Sequence, residues 1–554
     1  MVIELRFLGA FVRRFLALAL VLIVCAPPAT AAEADDAVPY LMLNGLPVTT
    51  GFDATSAHET AMNGTWRFLE DPGDVGEQQG WQDRGHERSD WRTIEVPGSW
   101  DVAFGDELLG YRGAGWYARG FPAPARSAGE RVRIRFEAVF LVSDVWVNGQ
   151  HVGSHTGGYT PFEVDVTDVL EDGENTLVVR ADSRITRNTI PTDTLMFRGR
   201  HGWWPYGGIT RDVRLLVDDA ARPFKLDIRT RPTTPSAWTV DIAVGVHTSG
   251  APATEALSIE LADPTGTIVA TAGPVDLTVA DVAFERFSVV VDDPQVWDPS
   301  DPARYSATVR FGDTYAVDEF GFRTVEVADG DILLNGRRHF LRGMNRHEDH
   351  PTLGPVQTPE LIAGDVALLG ELDVNHIRPG HYPAHPDMLS ALGKAGITMT
   401  EEIPVYQLDL FHFFDRQLLE QARTQLIEMV ERDRNEPAII LWSLGNEVWQ
   451  FVPQAGTFFA SLHDTLDRYD DTRLSTYAAF TVPYLMSALP DSVTPLVDVV
   501  SVNEYYGWYY PAAAWAGFFL DLYHSKFPTK PFVVSEVGAD ALAGRHLDRP
   551  PGEE

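Results

Sequence analysis

From residue 329 to residue 554, short apolar runs alternate with helical stretches, and that alternation leaves few folds open. Seven runs read as strands: Phe340–Asn345, Val374–Pro379, Ile397–Ile403, Ala438–Leu444, Leu474–Ala478, Val497–Asn503 and Pro531–Ser535. Among the stretches between them is Arg416–Arg432, where Leu418, Leu419, Ala422, Leu426, Met429 and Val430 recur at helical spacing. Repeated strand–helix units build a parallel sheet, and this many of them predict a TIM barrel. A complete barrel has eight strands and roughly 250 residues. The expectation here is a (β/α)8-type barrel that lacks its eighth strand, with a gap between the first strand and the seventh.

A TIM barrel carries its reactive groups at the C-terminal ends of its strands. Ala438–Leu444 runs into Gly445-Asn446-Glu447, and Pro531–Ser535 runs into Glu536. Two strands of one barrel thus deliver a carboxylate each to the same rim. Hydrolysis of a glycosidic bond needs such a pair, one carboxylic acid to protonate the leaving oxygen and one carboxylate on the other side of the anomeric carbon. A lone loop glutamate would more simply pair with a nearby arginine. Two at strand ends of one barrel favour chemistry.

Upstream the pattern is all-β. In residues 32–218 Arg131–Phe136 alternates strictly, Asp144–Gly149 runs a strand into an Asn-Gly turn, and Asn175–Arg180 forms another strand. Strands and turns without helices predict a β-sandwich of jelly-roll type. Residues 219–328 are also all-β, with Trp238–Val246 and Tyr305–Phe311 their clearest strands. Their length and lack of cysteine suit an immunoglobulin-like sandwich without a disulfide. Residues 1–31 read as a secretory signal peptide. Arg13 and Arg14 form its positive region, Phe15 to Cys25 its apolar region, and Ala29-Thr30-Ala31 an A-x-A-like cleavage site. Val24 argues against a lipobox at Cys25. Cleavage after Ala31 removes the single cysteine and leaves a mature chain without thiolate chemistry, expected to be secreted or periplasmic.

Met429-Val-Glu-Arg-Asp-Arg-Asn-Glu-Pro-Ala-Ile-Ile-Leu-Trp-Ser-Leu-Gly-Asn-Glu447 resembles the acid/base signature of glycoside hydrolase family two, the family of β-galactosidases, β-glucuronidases and β-mannosidases. Ser535-Glu536-Val-Gly-Ala-Asp540 is similar to its nucleophile segment. Gly157–Glu163, Trp146–Gly149 and Trp204–Arg211 look like the family's sugar-binding sandwich, and Gly321-Phe-Arg323 like its link into the barrel. Gly343–Asp349, Asn375–Pro383 and Glu401–Pro404 resemble its first three barrel strands. The resemblance implies an exo-acting, retaining β-glycosidase of carbohydrate metabolism with Glu447 as acid/base and Glu536 as nucleophile.

It also implies that Asn446 binds the sugar 2-hydroxyl and that Tyr505 hydrogen-bonds the nucleophile. Asn503, Arg378 and His381 are taken as substrate-binding residues, and Trp508 and Tyr509 as a sugar platform. Arg378 could equally hold a carboxylate such as Glu402. Trp146, Trp203 and Trp204 are assigned to the sandwich core. His347 and His350 are read as parts of a first-strand loop that needs no ion, and no metal or cofactor is expected. Tyr505–Tyr509, Tyr159–Phe162 and Thr189–Pro191 lean towards β-glucuronides, with β-galactosides close behind. The other reading is a catalytically impaired chain, acting at most as a carbohydrate-binding protein because its barrel is open.

The partner expected is therefore a carbohydrate. A formal net charge of -35 repels phosphate backbones, so no nucleic acid is expected, and it gives no general attraction to anionic lipid. No membrane association is expected after signal cleavage, and a homo-oligomer remains open.

Overall fold

The computed structural model describes residues 38–52, 54–55, 57–194, 201–481, 489–509 and 513–539. The proposed signal peptide lies outside the described residues, as does everything after residue 539.

The first sandwich pairs a six-stranded antiparallel sheet with a four-stranded one. Its core includes Trp66, Phe68, Tyr117, Val132, Ile134, Phe136, Val145 and Val147. The alternation read at Arg131–Phe136 is real. Val132, Ile134 and Phe136 fill the core, while Arg133 turns the other way and ion-pairs with Glu163 and Asp218. The Asn-Gly turn is also real. Val147 pairs with Gln150, and Asn148 and Gly149 between them both have positive φ, +52° and +81°, the requirement of a two-residue type I′ hairpin.

The second sandwich packs a three-stranded sheet against a five-stranded one. The fifth strand of the larger sheet is Ala54–Thr55, which lies ahead of the first sandwich in sequence yet pairs with Val317 and Ala316.

The barrel strands are β1 (Gly343–Arg346), β2 (His376–Pro379), β3 (Thr398–Glu402), β4 (Ile439–Asn446), β5 (Leu474–Phe480), β6 (Val499–Glu504) and β7 (Phe532–Val537). They are parallel and ordered as in the sequence. These are the seven strands the apolar runs predict, several of them reaching further at their C-terminal ends. Among the described residues five α-helices lie between: α1 (Pro359–Glu371), α2 (Pro386–Lys394), α3 (Arg416–Asp433), α4 (Pro453–Tyr469) and α5 (Ala516–His524). Among the described residues β1 and β7 approach one another without pairing, so the barrel is nearly closed and its seam is unsealed.

Helix α3 begins at Asp415, whose side chain accepts from the Gln417 and Leu418 amides. Its apolar positions Leu418, Ala422, Leu426, Met429 and Val430 face the barrel as their spacing predicts. Its polar face is buried too. Glu428 accepts from His155 and Thr160, Glu431 pairs with Lys225, and Arg432 donates to the Tyr159 carbonyl. The helix is thus gripped by the barrel on one side and by both sandwiches on the other. Arg323 ties the linker to the foot of β4, donating to the carbonyls of Pro437, Thr472 and Ile439.

Candidate active site

Glu447 stands one residue past β4, and the chain reaches it by a constrained path. Gly445 has φ +148°, and a Cβ there would lie 2.6 Å from the Val405 carbonyl oxygen, so only glycine fits. Glu447 itself has φ +50°, a left-handed conformation that side chains other than glycine rarely take. Two neutral amides hold its carboxyl group: Asn503 Nδ2 donates to Oε1 and Gln407 Nε2 to Oε2, each at 2.9 Å.

Glu536 is in β7, beside Asn503 of β6. Arg378 Nη1 donates to its Oε1 and the Tyr505 hydroxyl to its Oε2, each at 2.7 Å. His381 Nε2 lies 3.6 Å from Oε1. Asn446 Oδ1 accepts from both Arg378 Nη2 and Asn503 Nδ2 at 3.0 Å, and so connects the two carboxylates' surroundings. Ser535 donates to Asn503 Oδ1 and fixes the orientation of that amide.

The two carboxyl groups are pushed in opposite directions. Burial, and then the negative charge of Glu536, raises Glu447 above the ordinary carboxylate range, against the pull of its two amide donors. Burial would also raise Glu536, but Arg378 above all, with His381 and Tyr505, outweighs it and holds Glu536 below that range. The Tyr505 phenol is itself pushed up by burial and by Glu536, so it stays protonated and donates. One buried carboxyl group is thus pushed towards keeping its proton and the other towards giving it up. That is the division of labour an acid/base and a nucleophile require.

A third carboxylate, Glu402 at the end of β3, lies behind Arg378. It accepts from Arg378 Nε at 3.1 Å, from Arg378 Nη2 at 2.7 and 2.9 Å, and from Ser443 Oγ at 2.6 Å, and it meets His381 Nδ1 at 2.9 Å. Burial pushes its carboxyl up, but Arg378 and His381 hold it at about 2. Arg378 therefore holds Glu402, as the second reading of it expects, and reaches Glu536 at once.

Seven of the residues singled out in the sequence thus share one hydrogen-bonded network: Arg378, His381, Asn446, Glu447, Asn503, Tyr505 and Glu536. Tyr509 and Trp508 stand outside it. The Tyr509 ring lies edge-on to Tyr505 at 5.3 Å, with Trp508 6.1 Å beyond, and Tyr509 is 69% exposed. They form the rim of the mouth.

Gln407 and Ser443 escaped the sequence reading. Gln407 had one signal, a polar residue just past the third strand, but its contact depends on a backbone with φ +53° that the sequence does not announce. The assignment of three tryptophans to the sandwich core holds only for Trp146, which stacks on Trp116 at 5.3 Å. Trp204 is half-exposed and donates to Asp101. Trp203 packs between the sandwich and the barrel instead. It donates to the Tyr159 hydroxyl and meets Tyr406 edge-on at 5.0 Å and His381 at 5.6 Å, because the chain at Gly202 crosses to the barrel mouth. His350 Nδ1 accepts from the Thr352 and Leu353 amides in a local turn, whereas His347 lies 5.7 Å from His381, and burial lowers it to about 4.

Comparison with known proteins follows the same three-part division. The profile described as "Glycosyl hydrolases family 2, sugar binding domain" matches residues 60–219, "Glycosyl hydrolases family 2" matches 224–323, and "Glycosyl hydrolases family 2, TIM barrel domain" matches 325–550. A protein of Paenibacillus borealis described as "Beta-glucuronidase" is 28% identical over 531 residues, covering 88% of this chain and 84% of its own. A cat (Felis catus) protein of the same description is 28% identical over 553 residues, covering 92% and 83%. The structure of Bifidobacterium dentium β-glucuronidase complexed with coumarin-3-O-glucuronide superposes with a TM-score of 0.78 at 27% identity, covering 90% of this chain and 86% of that one.

Proposed function

The chain belongs to glycosyl hydrolase family 2 and is a glycoside hydrolase, and we propose that it is an exo-acting β-glucuronidase that works with retention of configuration. The observation that carries this reading is the pair Glu447 and Glu536, set in one network and driven towards opposite protonation states.

In the first step Glu536 attacks the anomeric carbon while the bond to the leaving oxygen breaks, and Glu447 gives that oxygen its proton. Arg378 and Tyr505 release negative charge from Glu536 as it passes into the new ester. In the second step Glu447, now ionised, takes a proton from water as the water attacks the anomeric carbon and Glu536 departs. In this reading Asn446, between Arg378 and Asn503, meets the sugar 2-hydroxyl. His381 and Arg378 form the inner wall, and Trp508 and Tyr509 the outer one.

The choice of glucuronide rests on the Tyr505–Tyr509 segment and on the relatives' descriptions, with a β-galactoside as runner-up. Initial rates on an aryl β-glucuronide and an aryl β-galactoside under the same conditions test it, and a clear preference for the galactoside overturns it. Retention is tested by NMR of the first-formed product: the β-anomer is expected, and the α-anomer would refute it. The segment Arg13 to Ala31 supports export from the cytoplasm, which N-terminal sequencing of the secreted chain would check.

A further inference from the structure

We propose that Glu402 is a positioning residue of the reaction: it fixes the Arg378 guanidinium and the His381 ring so that both present a nitrogen to the nucleophile Glu536. The proposal rests on the assignment of Glu536 as nucleophile but not on the identity of the sugar.

The geometry of the guanidinium carries the argument. Arg378 has two usable edges. Its Nε and Nη2 lie on Glu402, at 3.1 Å and at 2.7 and 2.9 Å, the fork-to-fork arrangement that fixes a guanidinium plane. With that plane fixed, Nη1 points at Glu536 Oε1, 2.7 Å away. Without Glu402, the one bond from Nη2 to Asn446 Oδ1 is left on that edge, too little to fix the plane. Arg378 could then turn and offer Glu536 two nitrogens instead of one.

His381 is set by the same carboxylate. Its Nδ1 lies 2.9 Å from Glu402 Oε1 and 3.2 Å from Arg378 Nη2. An arginine nitrogen only donates and an ionised carboxylate only accepts. Glu402 is held ionised, so Nδ1 carries the hydrogen and donates to it, and Arg378 Nη2 is drawn beside Nδ1 by the shared carboxylate. Nε2, 3.6 Å from Glu536 Oε1, is thereby turned into the cleft. Ser443, from the neighbouring strand, donates to Glu402 Oε2 and completes the cradle. Glu402 is fully buried and every named partner belongs to the site, so it serves no surface role.

The charged and titratable groups around the nucleophile come from six strand ends. They are His347 after β1, Arg378 and His381 from β2, Glu402 and Tyr406 from β3, Glu447 after β4, Tyr505 after β6, and Glu536 itself in β7. Exchanging Glu402 for glutamine removes one negative charge from this set and frees the Nε edge of Arg378. Both changes favour ionised Glu536, which becomes a weaker and poorly aimed nucleophile.

The test measures kcat, KM and the pH profile of Glu402→Gln and Glu402→Asp on whichever aryl β-glycoside the unaltered chain hydrolyses. A wild type that prefers the galactoside would overturn the substrate reading and leave this comparison intact. Glu402→Gln should lower kcat by about 100-fold, the scale of a small misplacement at a reacting centre. KM should change little, and the acid limb of kcat/KM should move to lower pH. Glu402→Asp keeps the charge and shortens the reach, so it should lose rate while its acid limb stays in place. An unmoved or upward-shifted acid limb in Glu402→Gln, or a rate loss that merely follows a fall in melting temperature, would overturn the proposal. Should Glu402→Gln fail to fold, Ser443→Ala loosens the same cradle. A several-fold loss of kcat at unchanged KM is expected there, and a rate within about twofold of wild type would overturn the proposal.

Discussion

Replacing Glu447 by alanine and, separately, by glycine tests the site's chemistry and its backbone together. Both variants remove the proposed acid/base. General acid–base catalysis contributes roughly 10²–10⁴-fold, or about 3–5 kcal/mol of barrier. Aryl glycosides with poor leaving groups should lose that factor in the first step. With a strongly acidic phenol as leaving group the first step needs little help, and the deficit should move to the second step, where water lacks its base. Azide needs no base and can enter the space left by the side chain, so it should restore turnover and yield the β-glycosyl azide. The two variants should differ in stability. Residue 447 has φ +50°. A left-handed residue with a Cβ costs roughly 1–2 kcal/mol, and glycine escapes that cost while giving back roughly 0.4–1 kcal/mol through its freer unfolded chain. The lost contacts to Gln407 and Asn503 are common to both variants and cancel. Glu447→Gly should therefore be more stable than Glu447→Ala by about 0.5–1 kcal/mol, read from urea unfolding midpoints. An alanine variant as stable as the glycine variant would refute the backbone argument. Equal losses on all leaving groups without azide rescue would refute the role of Glu447.

Other consequences follow from the same geometry. Glu536→Gln should keep the melting temperature and lose turnover, and a variant with full activity would remove Glu536 from the mechanism. The pH profile should be bell-shaped. Glu536, held low by Arg378, sets an acid limb below the usual carboxylate range, and Glu447, held high by burial and Glu536, sets an alkaline limb above it. Tyr505→Phe removes a donor from ionised Glu536, so the acid limb should move up in pH, and a downward shift would contradict the hydrogen bond. Glu402 is depressed to about 2 in the folded chain, against about 4.3 for an unperturbed glutamate. Its contribution to stability is present above the unfolded value and is lost as pH falls from there through about 2. Stability measured across that window should fall less steeply in Glu402→Gln than in the unaltered chain.

The elements legible in the sequence are those whose cause is local. A parallel strand buried on both faces tends to read as a near-continuous apolar run, so β4 announces itself as Ala438–Leu444, and the residue after such a strand stands at the rim. Glu447 and Glu536 were readable for that reason. Glu401 and Glu402 show where this kind of inference stops. Both are fully buried neighbours on β3, and the pleat sends them to opposite faces. Glu402 joins Ser443 and Arg378 inside the mouth, while Glu401 faces the Ala384 amide and Arg432 on the α3 side. Which of the two faces inward depends on register, since Glu402 pairs with Ser443 and Glu401 with Trp442, and register is a property of two strands rather than one. The same holds at larger scale for α3. Its heptad-like apolar stripe was visible, but Glu428, Glu431 and Arg432 look like a solvated face until His155, Thr160 and Lys225 arrive from sequence positions more than two hundred residues away. Trp203 reaches the barrel mouth by the same kind of long-range contact. A one-dimensional reading can thus name the carboxylates at the rim. The groups around them, such as Gln407 on Glu447 and Ser443 on Glu402, are selected by neighbours across strands and domains, so the supporting shell is where the structure adds most to the chemistry.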